Sequence, residues 1–112
     1  MTLRKMQSIF ILNTAKLINK AYDLGYELTY GEAYRSPEEA ERLAKLGKGI
    51  KDSLHGYRLA LDINLFKNGV YLTSTASHAL LGEYWKSLHP LNAWGGDFKD
   101  GNHYSMSYRG KK

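Results

Sequence analysis

The chain has 112 residues, 43% of them hydrophobic and 24% charged, with a net charge of +5 and an isoelectric point near 9.4. That length fits one globular domain around one core, and the absence of cysteine excludes disulfides, thiolate metal sites and cysteine nucleophiles. The positive balance favours polyanionic partners such as nucleic acid, an acidic membrane or an anionic cell wall, without choosing among them.

Met1-Thr2-Leu3-Arg4-Lys5 is basic and Ile9-Phe10-Ile11-Leu12 is apolar. A four-residue apolar run with no small-residue cleavage site after it is not a signal peptide, and no stretch approaches a membrane span. The expectation is a protein made in the cytoplasm with no stable membrane anchor. Leu3, Met6, Phe10, Leu17, Ala21 and Leu24 recur at helical spacing, which predicts a helix of about five to six turns stopped by Gly25. Tyr26 to Tyr34 is aromatic-rich and alternating, and reads as a strand. Ser36-Pro37-Glu38-Glu39 is a helix start, with Ser36 as N-cap, Pro37 at the first position and Glu39 closing a capping box. That helix runs Pro37 to Leu46 and ends at Gly47.

Lys48 to Ser53 reads as a polar loop, and Leu59 to Phe66 as a strand. Lys67-Asn68-Gly69 is a hairpin turn returning through Val70-Tyr71-Leu72. Thr73 to Ser77 connects to a helix from His78 to Leu88, ended by His89-Pro90. Leu91 to Lys99 reads as an irregular loop, and His103 to Tyr108 as a last short strand. The order α, β, α, β, β, α, β predicts an α+β domain with a small antiparallel sheet and flanking helices.

One acid stands out. Asp62 lies inside the apolar run Leu59 to Phe66, where a carboxylate is costly unless something pairs with it. A metal ion is one such partner. His55 precedes Asp62 by seven residues, and His103 is the one other histidine in a similar setting, after the phrase Asp97-Phe98-Lys99-Asp100-Gly101-Asn102. Two imidazoles and one carboxylate, with a water in the open fourth position, make a catalytic zinc set. Asp100, three residues before His103, could then serve as general base. His78 and His89 read as structural or solvated residues.

The phrase Ser53-x-His55-x6-Asp62, with Ala60 two before the acid, resembles the S-x-H-x-x-G-x-A-x-D motif of the zinc D-Ala-D-Ala carboxypeptidases and L-alanyl-D-glutamate endopeptidases. Asp100-x-x-His103-Tyr104 resembles that family's second motif. Tyr34-Arg35-Ser36 resembles its upstream Y-R-S/T element. Trp94-Gly95-Gly96-Asp97-Phe98 resembles the W-G-G-x-F of its phage endolysin branch. The similarity spans roughly Tyr26 to Tyr108. There are two departures: the family's motif glycine is Arg58 here, and the base position holds Asp100 where many members have glutamate.

The resemblance implies a hedgehog/D-Ala-D-Ala-peptidase-like fold and one zinc ion on His55, Asp62 and His103. It implies Asp100 as catalytic base, and Arg35 as a residue that holds a substrate carboxylate or carbonyl or stabilises the oxyanion. Ser53 would hydrogen-bond behind the ligands or to substrate, and Trp94 would wall the cleft. The expected activity is hydrolysis of peptidoglycan stem peptides, first as an L-alanyl-D-glutamate endopeptidase of a phage or prophage. The alternatives are a D-Ala-D-Ala carboxypeptidase and a non-catalytic virion or wall-binding domain. The whole of 1–112 would be one catalytic domain with no separate wall-binding module, and a monomer. It would wait in the host cytoplasm for a holin-like pore and then act in the periplasm or wall. A nucleic-acid partner is not expected, because the Lys and Arg residues form no clustered stripe.

Overall fold

Helix α1, Leu3–Asp23, begins where the Thr2 side chain accepts from the Lys5 backbone N–H, and it buries Met6, Phe10, Leu17 and Ala21 on one stripe. Gly25, at φ +89°, ends it in the left-handed region that glycine adopts without cost. The computed structural model describes residues 1–49 and 52–112. Strand β1 is Glu27–Tyr30 and helix α2 is Pro37–Lys45, followed by strands β2, Ala60–Lys67, and β3, Val70–Leu72. Helix α3, Ala79–Leu88, leads to β4, Asn92–Trp94, and β5, His103–Met106. The mixed α+β architecture with its small antiparallel sheet is as expected.

Strand β2 is the hub. It pairs antiparallel with β1 along one edge, and with both β3 and β5 along the other, while β4 closes the sheet beyond β5. Alternation along β2 sends Leu61, Ile63 and Leu65 to the core and leaves Asp62 and Asn64 on the opposite face. The core face meets α1 and α3, and Phe10, Leu17, Leu59, Trp85, Tyr104 and Met106 are packed there. No described helix is long and apolar enough to cross a membrane.

Several local expectations need correction. The first strand stops at Tyr30, although the chain beyond it still runs beside β2: the Gly31 N–H donates to the Asp62 carbonyl, and the Asp62 N–H donates to the Glu32 carbonyl. Ser36 caps α2 by accepting from the Glu39 N–H, but the Glu39 carboxylate pairs with Arg42 and closes no capping box. The expected loop from Leu91 to Lys99 contains β4 and a 3-10 turn, Gly95–Phe98. Another 3-10 turn, Thr75–His78, precedes α3. Asn68 and Gly69 both take positive φ, as the Asn-Gly hairpin requires. Of the expected loop from Lys48 to Ser53, positions 50 and 51 lie outside the described residues.

Candidate active site

The register of the sheet builds the centre of the site. Asp62 on β2 stands directly across from His103 on β5, so both side chains leave the same face. His55 comes from the 3-10 turn Leu54–Tyr57, just before β2. Ser53 caps that turn, its hydroxyl accepting from the His55 N–H at 3.2 Å. Ser53 thereby holds the His55 backbone.

The His55 Nδ1 donates to the Ala33 carbonyl at 2.9 Å. That bond fixes the tautomer and leaves Nε2 free to accept, 3.4 Å from Asp62 Oδ1. His103 approaches the same oxygen with Nδ1, at 3.2 Å. The three candidate ligand atoms all lie within 4.8 Å of one another. Both imidazoles are buried, Asp62 retains 22% side-chain exposure, and the buried His103 Nε2 has no hydrogen-bond partner. Two nitrogens and one carboxylate oxygen converging at one opening form a donor set that fits zinc and keeps a position open.

Electrostatics agrees with the geometry. Burial alone would raise the Asp62 pKa, but the hydrogen bonds and charges of His103 and His55 outweigh it and bring the carboxyl down to about 2. For His55, burial works downward. Hydrogen bonding to Asp62 and to the Ala33 carbonyl, with the charges of Asp62 and Glu32, overcomes it and raises the pKa.

Asp100 sits at the exposed edge of this centre, its Oδ2 4.0 Å from His103 Nδ1. It is held by backbone bonds: its N–H donates to the Gly95 carbonyl at 2.8 Å, and its carbonyl accepts from the His103 N–H at 3.1 Å. Beyond it opens a cleft of about 210 Å³ whose lining includes Asn64, Tyr71, Thr75, Lys99 and Asn102. Asn64 follows Asp62 on the same face of β2, and the Tyr71 hydroxyl donates to its Oδ1 at 3.4 Å.

Arg35 lies on the other side of the triad, next to β1, with its guanidinium paired to Glu32. Both Nε and Nη2 donate to Glu32 Oε1, the first at 2.8 Å. The Arg35 N–H also donates to the His55 carbonyl, which ties its backbone to the ligand turn. Glu32, which the sequence reading passed over, thus belongs to the site: its Oε1 is 3.7 Å from His55 Nε2. Its signal was available as the one acid between Glu27 and Glu38, three residues before the arginine.

Trp94 also differs from expectation. Its partner in the ladder is Tyr104, so it shares the core face, opposite to His103. The ring is 6% exposed, and the indole N–H donates to the Gly101 carbonyl at 2.7 Å. It braces the loop that carries Asp100 from beneath and forms no wall of the cleft. Arg58, at the position of the family glycine, takes φ 57° and ψ 37°, a left-handed conformation that glycine adopts freely. Its guanidinium lies 4.0 Å from the centroid of the Tyr34 ring. His78 is buried with Nδ1 at 2.8 Å from the Tyr104 hydroxyl, and His89 accepts from the Leu91 N–H. Both are structural, as expected.

The chain is similar in fold to two solved structures. One is the L-Ala D-Glu endopeptidase ChiX of Serratia marcescens, with TM-score 0.69 and 20% identity over 85% of this chain and 78% of that one. The other is a mutant of the vancomycin-resistance D,D-pentapeptidase VanY from a VanB-type cassette, in complex with Zn(II). There the TM-score is 0.61 and the identity 16%, over 87% of this chain and 70% of that one. No curated protein matches the sequence. A family model described as D-alanyl-D-alanine carboxypeptidase matches residues 47–106, more than half of the chain and the whole span from His55 to His103. With that match over the motifs that form the site, the chain belongs to the D-alanyl-D-alanine carboxypeptidase family, whose members are zinc metallopeptidases acting on peptidoglycan.

Proposed function

We propose that this peptidoglycan peptidase is an L-alanyl-D-glutamate endopeptidase that works as a phage or prophage lysin. The observation that carries the reading is the meeting of His55, Asp62 and His103 at one opening, with Asp100 beside it. His55 would hold zinc through Nε2, His103 through Nδ1 and Asp62 through a carboxylate oxygen. Zinc, when bound, supplies a Lewis acid that polarises the scissile carbonyl and acidifies water. Asp100 takes the proton of the attacking water and passes it to the leaving amine. Its exposure lets it reach substrate, and the backbone bonds to Gly95 and His103 hold it in place. Glu32 orients Arg35 at the rim, where the guanidinium's remaining N–H groups can meet a carbonyl oxygen as negative charge develops on it. The fold likeness to an L-Ala D-Glu endopeptidase and the W-G-G-x-F phrase support the choice of bond.

The lysin role carries with it a chain that acts as one domain and a monomer. It would be held in the host cytoplasm until a holin-like pore opens, and then act on the wall. The net charge of +5 supports attraction to an anionic wall. The second reading is a D-Ala-D-Ala carboxypeptidase, which the description of the matching family favours. Defined muropeptides separate the two. Release of the stem from L-Ala supports the endopeptidase, and loss of a terminal D-Ala with the L-Ala bond intact refutes it.

A further inference from the structure

We propose that the apolar groove between helix α1 and the chain from Tyr30 to Tyr34 docks the protein, reversibly, on an anionic lipid surface. The groove encloses about 560 Å³, and its lining includes Arg4, Ile11, Tyr30, Tyr34, Arg58 and Leu61. That volume is ordinary for a site that takes an apolar group. None of its lining residues is a proposed zinc ligand, and none belongs to the cleft beside Asp100.

Helix α1 is apolar on two faces, and the core uses one of them. Met6, Phe10, Leu17 and Ala21 are buried. Arg4, Ser8, Ile11, Ala15, Ile18 and Tyr22 follow one another at steps of three and four on a second stripe. The first three of these line the groove, and Ile18 and Tyr22 line a further hollow of about 210 Å³ beyond Tyr30. Ile11 is 69% exposed, Leu12 beside it 58% and Tyr30 71%. The run Ile9-Phe10-Ile11-Leu12 thus carries more apolar surface than the core requires, and apolar surface left open in one place marks a docking site.

Charge selects the occupant. Two arginines and no acid line the groove, and Lys5 and Lys16 stand exposed on the adjoining face of α1. Among the described residues, none of these four cations takes part in an ion pair. The occupant must therefore be apolar and anionic at once. A second copy does not fit, because a two-fold pairing of grooves would bring together the arginines of two chains that each carry a net charge of +5. An anionic bilayer fits on both counts. Its headgroups meet the arginines and lysines, and its acyl chains meet Ile11 and Leu12, as on a helix that lies in the membrane surface. Tyr30 and Tyr34 each offer an apolar ring with a polar tip, which suits the boundary between the two layers. A peptidase held in this way stays at the bilayer, next to the wall that it cuts.

The test is co-sedimentation of the zinc-loaded full chain with vesicles of phosphatidylglycerol and phosphatidylcholine in equal parts, against vesicles of phosphatidylcholine alone. The protein should sediment with the anionic vesicles and not with the neutral ones. Arg4→Gln should weaken that partition about five-fold, the share of one cation at an anionic surface. Ile11→Asn should weaken it about ten-fold or more, and Ile11→Leu should restore it. Val70→Asn, at an apolar position on β3 that is also 58% exposed, should leave it unchanged. Because Ile11 is exposed, the melting temperature of Ile11→Asn should match that of the parent, which separates lost docking from lost folding. Partition that is unchanged in Ile11→Asn, or that falls equally in Val70→Asn, would reduce the binding to net charge and overturn the groove as its site. No preference for anionic vesicles would overturn the lipid surface. Concentration-dependent dimers that Ile11→Asn abolishes, without vesicle binding, would overturn it in favour of a second copy.

Discussion

Substituting Gly95 with alanine should disable the site without replacing any proposed ligand. A methyl group at that position would overlap the Asp100 carbonyl oxygen and stand 2.7 Å from His103 Cβ, where carbon atoms prefer about 3.5–4.0 Å. The strand carrying His103 and the turn carrying Asp100 would both have to move by roughly an ångström. Overpacking of this kind costs about 1–3 kcal/mol. The displaced turn also loses the bond from the Asp100 N–H to the Gly95 carbonyl, worth about 1 kcal/mol. Together these give a loss of about 2–4 kcal/mol, which lowers the melting temperature by roughly 10–20 °C at this chain length. An ångström at His103 also breaks its convergence with Asp62, and misplacement on that scale reduces turnover by about a hundred-fold. Circular dichroism melting of the metal-free protein and zinc titration of the same sample read the two effects. A Gly95→Ala protein that melts with the parent and binds zinc with unchanged affinity would refute the packing argument.

Three further outcomes follow from the same geometry. Glu32→Gln should remove the charge that orients Arg35 and lower kcat at least about ten-fold while KM changes less; steady-state kinetics checks this, and an unchanged kcat would show that the pair is only structural. Trp94→Phe loses the indole bond to the Gly101 carbonyl and should destabilise the fold by about 1–3 kcal/mol, read by chemical denaturation. Because the ring faces the core, the KM of the surviving enzyme should stay near that of the parent. The third concerns pH. The raised His55 pKa gives the metal-free protein stability that is present below the unfolded value and lost as pH rises through the folded one. Zinc needs neutral imidazole, so its binding strengthens over the same interval. The gap in melting temperature between zinc-loaded and metal-free protein should therefore widen between about pH 6 and pH 8; a gap that narrows would contradict the assignment of His55.

What could be read from the sequence was governed by how local its cause is. Asp62 announced itself because an acid in an apolar run needs a partner, and the two histidines stood in distinctive phrases. The fact that Asp62 and His103 face each other depends on strand register, which the sequence expresses only through the pairing it produces. The same register turned Trp94 to the core by setting it against Tyr104, and no local pattern marks that choice. Strand β4 escaped notice because it is short and begins with Asn92, a polar residue whose amide is buried and donates to the Trp85 carbonyl. The strand expected from Tyr26 to Tyr34 ended early, since beyond Tyr30 the backbone keeps two bonds to β2 but turns toward the ligand loop. The pairing of Glu32 with Arg35 went unnoticed because Glu32 was read as one more residue of that strand. Arg58 takes a left-handed turn conformation that glycine adopts freely and lays its side chain on Tyr34.

His55, Asp62 and His103 are proposed to hold the zinc of a peptidoglycan peptidase. Mass spectrometry of purified sacculi digested by the parent protein, by the chelated protein and by the chelated protein after zinc is returned tests this most directly. The expected result is release of stem peptides by the parent, none after chelation, recovery with zinc, and none from His55→Ala under any condition. Undiminished release by a metal-free preparation, or by His55→Ala, would contradict it.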